Sequence, residues 1–317
     1  MRPQILAVSK LPDPLAVSLE KTFCLHRQTH EHEPDRFAAI AGEIRGVVVG
    51  GKYRLPRALM DRLPALEVAS VVGAGYDGVD VPAAVERGIV VTHTPAVHTD
   101  DVADFAMALL LSLGRQVLQA DRFVRAGHWP TGSLPFSSTL TGARIGIVGM
   151  GHIGCAIAAR AGAFRMSVAY AARTEKPHLP HRFFRHVTDL AAQVDFLVVA
   201  ATGGPSTRHL VGADALAALG PDGFLVNVAR GTLVDQSALV DALVARRIAG
   251  AALDVFDGEP QVDPRLRSLD NVILTPHVAS ATHQTRKAMF DLTVENLRRH
   301  FDGGQPPHPI PECSYRL

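Results

Sequence analysis

Apolar positions follow two alternating rhythms along this chain. Val-, Ile- and Leu-rich runs of strand length alternate with Ala- and Arg-rich stretches of helical periodicity, the pattern of βαβ units building a parallel sheet. The fold class is α/β. Ten runs read as buried strands: Gln4–Val8, Gly46–Val49, Glu67–Ser70, Ile89–Thr92, Arg144–Val148, Ser167–Tyr170, Phe196–Ala200, Phe224–Asn227, Gly250–Leu253 and Val272–Leu274. Their nearly continuous apolar character suits strands covered on both faces. Ten strands are too many for one sheet. Four precede Pro95 and six follow Thr141–Gly142, which predicts two sheets joined by one long element. That element is Thr99–Gly114, TDDVADFAMALLLSLG. A threonine cap, acids in the first turn and apolar residues on most sides predict a buried helix bridging two domains. A further helix is predicted over Thr282–Phe301, and the Gly- and Pro-rich residues after it, DGGQPPHPIPECSYRL, predict a loose end.

Composition narrows the class. The 317 residues are 47% hydrophobic and 20% charged, enough for two domains. With 32 Lys+Arg against 31 Asp+Glu the formal charge is +1, so no overall field draws the chain to nucleic acid or to an anionic membrane. Cys24, Cys155 and Cys313 are far apart and match no CxxC or Cys/His spacing, which argues against disulfide scaffolds and metal modules. The N-terminus carries no signal-peptide core, and the longest apolar run, Phe105–Leu111, is far short of the roughly 20 residues of a membrane span. The expectation is a soluble, reduced, cytoplasmic protein without a metal.

One turn carries chemistry. ARIGIVGMGHIG places Gly149, Gly151 and Gly154 in GxGxxG spacing, after the strand Arg144–Val148 and before an Ala-rich stretch. Gly149 permits the tight turn, Gly151 the approach of backbone amides to a pyrophosphate, and Gly154 close packing of helix on strand. The helix N-terminus adds partial positive charge toward the phosphates. A glycine turn without a ligand looks the same in isolation; strand before and helix after favour a dinucleotide. The next strand should end in a carboxylate if the ligand is NAD, to accept from the ribose hydroxyls. Ala172, Arg173 and Thr174 stand there instead. A guanidinium can hold a 2′-phosphate in a fork and the Thr174 hydroxyl can add a bond. NADPH/NADP is therefore the preferred cofactor, with NADH/NAD an alternative that the site leaves open.

Polar residues also close three later strands, in NVARGTLVD (Asn227–Asp235), ALDVFDGEP (Ala252–Pro260) and LTPHVASAT (Leu274–Thr282). Ligands of open α/β sheets bind at the carboxyl ends of strands, so Arg230, Asp254, Glu259 and His277 are placed where chemistry occurs. Taken with VVGAGYDGVD at 71–80, RGIVVTHTP at 87–95, TDDVADFAMALLL at 99–111 and ATGGPSTRHLVG at 201–212, these segments resemble the D-isomer-specific 2-hydroxyacid dehydrogenases, in particular their glyoxylate/hydroxypyruvate reductase branch.

The resemblance covers nearly the whole chain. It implies two Rossmann-like domains with a cleft between them: 1–98 with 285–317 binding substrate, and an inserted 99–284 binding the dinucleotide. It implies Arg230 as the substrate-binding arginine, Glu259 as the partner of the catalytic histidine and His277 as acid/base. Val72, Gly73, Ala74 and Gly75 would supply substrate contacts from the other domain, with Ser280. Val102, His152, Ile153, Thr202, Val228 and Ala279 would join the glycine loop around the cofactor, with His277, and Asp254 would sit near the nicotinamide carboxamide. It also implies a homodimer built around the bridging helix near 99–114.

The chemistry asks for these residue types independently. Reducing a 2-oxo acid requires a hydride at the carbonyl carbon and a proton at its oxygen, and a histidine can both give and retake that proton. A carboxylate at Glu259 would favour the imidazolium and fix the ring. Arg230 offers a rigid fork to the substrate carboxylate. The Gly73–Ala74–Gly75 turn could present consecutive amides as an anion nest.

Reduction of glyoxylate or hydroxypyruvate is the first reading; 2-ketogluconate or an aromatic 2-oxo acid within the same family is the alternative. Gly50-Gly51-Lys52-Tyr53-Arg54 adds cationic residues of no assigned task. A formate-dehydrogenase reading is disfavoured because Glu259 stands where that branch resembles a glutamine, and a phosphoglycerate dehydrogenase reading by the length of the chain. A dinucleotide-sensing corepressor is the reading from outside enzymology, and turnover separates the two.

Overall fold

In the computed structural model, residues 2–50 and 53–313 are described; Gly51 and Lys52 of the cationic loop, and Ser314–Leu317, lie outside them. Two compact units divide the chain: Met1–Val97 with Thr282–Leu317, and His98–Ala281.

The first unit holds a parallel sheet of five strands among the described residues, β1 (Gln4–Ala7), β2 (Cys24–Arg27), β3 (Ile44–Gly50), β4 (Val68–Val72) and β5 (Val90–Thr92), in the order β2-β1-β3-β4-β5. Alternation along the strands divides its core in two: Leu6, Val47, Val49 and Val71 pack on one face, and Ile5, Ala7, Val48 and Val68 on the other. The helix His283–Phe301 covers the second of these faces through Leu297. Its start is capped by Thr282, whose hydroxyl accepts from Thr285 N–H at 3.1 Å.

The second unit holds seven parallel strands: β6 (Arg144–Val148), β7 (Ser167–Ala171), β8 (Arg182–Phe184), β9 (Phe196–Val199), β10 (Phe224–Asn227), β11 (Gly250–Leu253) and β12 (Val272–Leu274). Their order is β12-β11-β10-β9-β6-β7-β8, the dinucleotide-binding order with its switch point between β6 and β9. Val148, Leu197, Leu225 and Leu253 face one core, and Ile147, Val198, Val226 and Ala252 the other.

Three expectations are corrected. Among the described residues twelve strands form rather than ten, because β2 and β8 were not legible. Thr99 is the first residue of the helix Thr99–Gly114 and not its cap; the N-cap is His98, whose side chain makes no capping hydrogen bond. As far as Cys313 the segment after the last helix is not loose: His93 N–H donates to the His308 carbonyl (3.1 Å), Ile310 N–H to Val91 (2.9 Å), and Ile310 is fully buried.

The helix Thr99–Gly114 belongs to the second unit. Val102, Ala106, Leu109, Leu110 and Leu113 are buried there, and the helix packs on helix His152–Ala163 and on β10, β11 and β12. Unspent apolar surface lies just beyond it, at Val117, Leu118, Val124, Trp129 and Phe136.

Candidate active site

The glycine loop leaves β6 at the switch point. Gly149 sits at φ +97°, and a Cβ there would lie 2.5 Å from the Ala201 Cα that follows β9. Its N–H donates to Ala171 (2.8 Å), tying the turn to the end of β7. A Cβ on Gly154 would lie 2.1 Å from the Gly149 carbonyl oxygen, so only glycine lets helix His152–Ala163 approach. At Gly151, the N-cap of that helix, a Cβ would meet nothing within 4 Å. Two glycines thus serve packing and the third keeps space open before first-turn amides that have no intrahelical acceptor. No side chain caps this end. That arrangement fits a dinucleotide pyrophosphate. His152 is exposed and Ile153 half-buried beside the loop.

Beside it, β7 ends at Ala171 with half-buried Ala172, then exposed Arg173 and Thr174. The Lys176 N–H donates to the Tyr170 hydroxyl (2.7 Å), folding this segment back onto its strand. Neither Ala172 nor its two successors offers a carboxylate to the ribose hydroxyls.

Three neighbouring strand ends carry the rest. Asn227 pairs in register with Leu253, and Leu253 with Leu274, so the loops after β10, β11 and β12 leave side by side. Asn227 braces the first: its Nδ2 donates to the Arg230 carbonyl (3.0 Å), while its Oδ1 accepts from Ala229 N–H (3.0 Å). The Arg230 guanidinium donates through Nη1 to the Ala229 carbonyl (2.8 Å). Its stem passes so close to the loop after β9 that a Cβ on Gly203 would lie 2.7 Å from its Cγ.

His277 and Glu259 meet on the next two loops. The carboxylate only accepts, so His277 donates Nδ1–H to Glu259 Oε2 at 2.8 Å, which leaves Nε2 for proton exchange. Glu259 Oε1 accepts from Phe256 N–H (3.1 Å). The side chains are 27% and 20% exposed, open enough to meet a substrate and closed enough to hold one geometry.

His277 stands at φ +58°, a left-handed conformation unfavourable for a side chain with a Cβ. Asp254 holds it there. Its carboxylate, fully buried, accepts from the Thr275 hydroxyl (2.6 Å), Val278 N–H (2.9 Å) and Ala279 N–H (2.9 Å). The residue expected beside the nicotinamide carboxamide therefore has both oxygens committed to the histidine's own loop. Sequence reasoning missed this task, and that of Asn227. Asn or Asp at a strand end before a tight turn is the signal available for both.

Among the remaining candidates of this unit, Val102, Val228 and Ala279 are buried in the core beneath the glycine loop. Thr202 is exposed after β9, its carbonyl accepting from the Thr207 hydroxyl (2.9 Å). Ser280 is half-buried in the turn after His277.

In the first unit, β4 ends at Val72 and the chain turns at Gly73, whose N–H donates to Val71 (3.1 Å). That amide is spent, which corrects the three-amide nest and leaves Ala74 and Gly75 as the donors of the turn. The Gly73 carbonyl accepts from Thr94 N–H (2.8 Å) and the Ala74 carbonyl from His93 Nδ1–H (2.8 Å), so the turn is fixed from behind. No group of three or more metal-ligating side chains occurs among the described residues.

Comparison with known proteins shows which proteins the chain is similar to. Residues 107–279 match the family described as D-isomer specific 2-hydroxyacid dehydrogenase, NAD binding domain. The chain is 45% identical over 300 residues to the 2-ketogluconate reductase of Gluconobacter oxydans (strain 621H), covering 95% of this chain and 96% of that one. It is 42% identical over 307 residues to glyoxylate/hydroxypyruvate reductase A of Arabidopsis thaliana, covering 96% and 98%. Among solved structures, the NADPH-dependent glyoxylate/hydroxypyruvate reductase of Sinorhizobium meliloti, in complex with NADP and malonate, superposes with a TM-score of 0.94 at 43% identity, covering 100% of this chain and 99% of that one.

Proposed function

The chain belongs to the D-isomer-specific 2-hydroxyacid dehydrogenase family, and on that premise we propose that it reduces glyoxylate and hydroxypyruvate to the 2-hydroxy acids with NADPH. The observation that carries the reading is the 2.8 Å pair between His277 and Glu259, on the sheet whose glycine loop would hold the dinucleotide. The first unit binds substrate and the second the cofactor.

When bound, the reduced nicotinamide supplies a hydride to the carbonyl carbon. The chain does the rest. Arg230 binds the substrate carboxylate and draws charge toward the carbonyl oxygen, a forked contact that lysine makes less well. His277 Nε2–H gives its proton to that oxygen as charge develops there, and Glu259, on the other ring nitrogen, steadies the imidazolium before transfer and the ring direction throughout. In the first unit, the Ala74 and Gly75 amides are the donors we assign to substrate binding. Arg173 and Thr174 hold the 2′-phosphate.

The test is the initial rate of reduced-nicotinamide loss, with NADPH and with NADH, on glyoxylate, hydroxypyruvate, 2-ketogluconate and phenylpyruvate. Turnover of the two small acids with NADPH favoured is expected. Tight dinucleotide binding with no turnover on any acid would overturn the enzymatic reading in favour of a dinucleotide-sensing protein.

We also infer a homodimer in the cytoplasm. Three free cysteines support a reducing compartment. The dimer is supported by the exposed apolar side chains Val117, Leu118, Val124, Trp129 and Phe136, the last with no cover at all. Light scattering should give twice the chain mass, and Trp129→Asp with Phe136→Asp should shift it to one; a wild-type monomer would refute the assembly.

A further inference from the structure

Unpaired cations gather at one edge of the second unit's sheet. Between β7 and the helix Val187–Ala191 stand Arg173, Lys176, Arg182 and Arg185, against Glu175 alone. The whole chain carries only +1, so the excess is local. Elsewhere arginines are held by acids: Arg27 by Glu20, Arg45 by Glu67, Arg144 by Asp195 and Arg160 by Asp104. None of these four cations has a carboxylate partner among the described residues. Arg182 lies instead over the Phe184 ring at 4.6 Å, and Arg185 is exposed. The next acid along the chain, Asp189, is in the helix that follows.

The topology brings the group to the carboxyl end of β7. Its neighbour β8 runs parallel with Phe184 opposite Ala171. The chain leaving β8 at Arg185 therefore passes the chain leaving β7 at Ala172 and Arg173 one strand spacing, about 4.8 Å, away. Arg182 begins β8, but its place over the Phe184 ring carries its guanidinium toward the same end. A charge on an outer strand blunts edge-to-edge pairing. That accounts for Arg182 alone, because Arg173, Lys176 and Arg185 lie outside the strands.

Charges this close act together. The Debye length at physiological ionic strength is about 8 Å, longer than the strand spacing, so the fields of the neighbouring cations add at Arg173. Near pH 7 the 2′-phosphate gives NADPH about 1.5 to 2 more negative charges than NADH. Like charges beside a binding site speed the arrival of an oppositely charged ligand, and the more highly charged ligand gains more.

We propose that Lys176, Arg182 and Arg185 form a capture rim that draws the 2′-phosphate of NADPH toward Arg173, so that preference over NADH arises in the association rate as well as in the contacts made once bound. The inference deepens the cofactor part of the reductase reading and rests on it.

The experiment follows binding of NADPH and of NADH by stopped-flow fluorescence, at ionic strengths of about 0.01 M and about 1 M, where the Debye length falls from about 30 Å to about 3 Å. The proteins are the wild type, Arg185→Gln, Arg182→Gln with Arg185→Gln, and Arg247→Gln. Arg247 is exposed just before β11, at the opposite, amino end of the sheet, and controls for net charge. At low salt the double variant should associate with NADPH about tenfold more slowly, the low end of steering effects, with dissociation unchanged, NADH slowed far less and the difference gone at high salt. Arg185→Gln alone should give about a threefold slowing, which keeps the test informative if loss of the ring contact loosens β8 in the double variant. Unchanged NADPH association at low salt, a loss confined to dissociation, an equal slowing of NADH, or the same loss in Arg247→Gln would each overturn the rim. None of these readouts needs turnover. A chain that captures NADPH in this way and reduces no acid keeps the rim and loses the reductase reading; a chain that binds neither nucleotide loses both.

Discussion

Asp254 shows how one side chain sets the position of another. Val278 and Ala279 amides and the Thr275 hydroxyl all point at its carboxylate, and the loop they form keeps His277 at φ +58°. Asn at 254 would turn an amide NH2 toward a group that also donates. The cost expected for such a mismatch is about 1–3 kcal/mol of stability. Because the imidazole would lose its direction, kcat should fall more than KM rises. Steady-state kinetics on Asp254→Asn check this, and a variant with unchanged kcat would contradict the positioning role. Arg173 makes a different kind of contribution. It is exposed with no acid at the end of β7 beside it, so Arg173→Ala should weaken NADPH and spare NADH. A lost charge-assisted bond of about 1.5–3 kcal/mol is roughly a 10- to 100-fold rise in the NADPH Kd, measured by fluorescence titration. Equal loss for both nucleotides would remove Arg173 from the phosphate site.

Between elements, the contact that brings the catalytic loops together is backbone on backbone. A Cβ on Gly231 would lie 1.9 Å from the Phe256 carbonyl carbon, so the loop carrying Arg230 rests directly on the loop carrying Glu259. Gly231→Ala must push them apart. Turnover should fall at least tenfold with a lowered melting temperature, and an active, equally stable variant would show that the loops need not touch. The same scale explains what the sequence disclosed. Strands with two sheet neighbours, such as β6, β9 and β10, are unbroken apolar runs because both faces are covered, and they were legible to within a residue. Cys24–Arg27 and Arg182–Phe184 are two of the four outer strands, β2 and β8, and they are less buried than the outer strands β5 and β12, which were legible. Solvent reaches β2 and β8, so CLHR and RFF keep polar residues and give no strand signal. The glycine loop and the three strand-end segments were legible for a related reason: each needs a rare residue at a fixed place. Asn227, Asp254 and His93 act through hydrogen bonds to backbone that only the folded chain brings within reach. The docked end of the chain was hidden likewise, since Pro309 and Ile310 pair with a strand more than two hundred residues earlier.

At the scale of the whole molecule, acid should loosen the first unit. His26, His30, His300 and His308 all lie in it, and burial holds each below the ordinary value of 6.5; for His300 the Glu67 carboxylate opposes that effect in part. Below pH 6.5 the unfolded chain takes up protons at these positions that the folded unit refuses. Stability from the neutral rings is therefore full above 6.5 and declines as pH falls below it, down to the depressed folded values. Hydrogen exchange of first-unit peptides, corrected for intrinsic rates, should lose protection between pH 7.5 and 5.5. Unchanged protection would mean that these rings carry no linkage. The three free cysteines leave no covalent tie to offset that loss.

The central claim is that the fold delivers a proton through His277 to a substrate reduced by NADPH. The most direct measurement is kcat on hydroxypyruvate together with the NADPH Kd, in the wild type and in His277→Ala. The account predicts a fall in kcat of about 10²- to 10⁴-fold, the usual worth of a positioned acid/base, with the NADPH Kd changed less than about threefold. Wild-type kcat in the variant would contradict it.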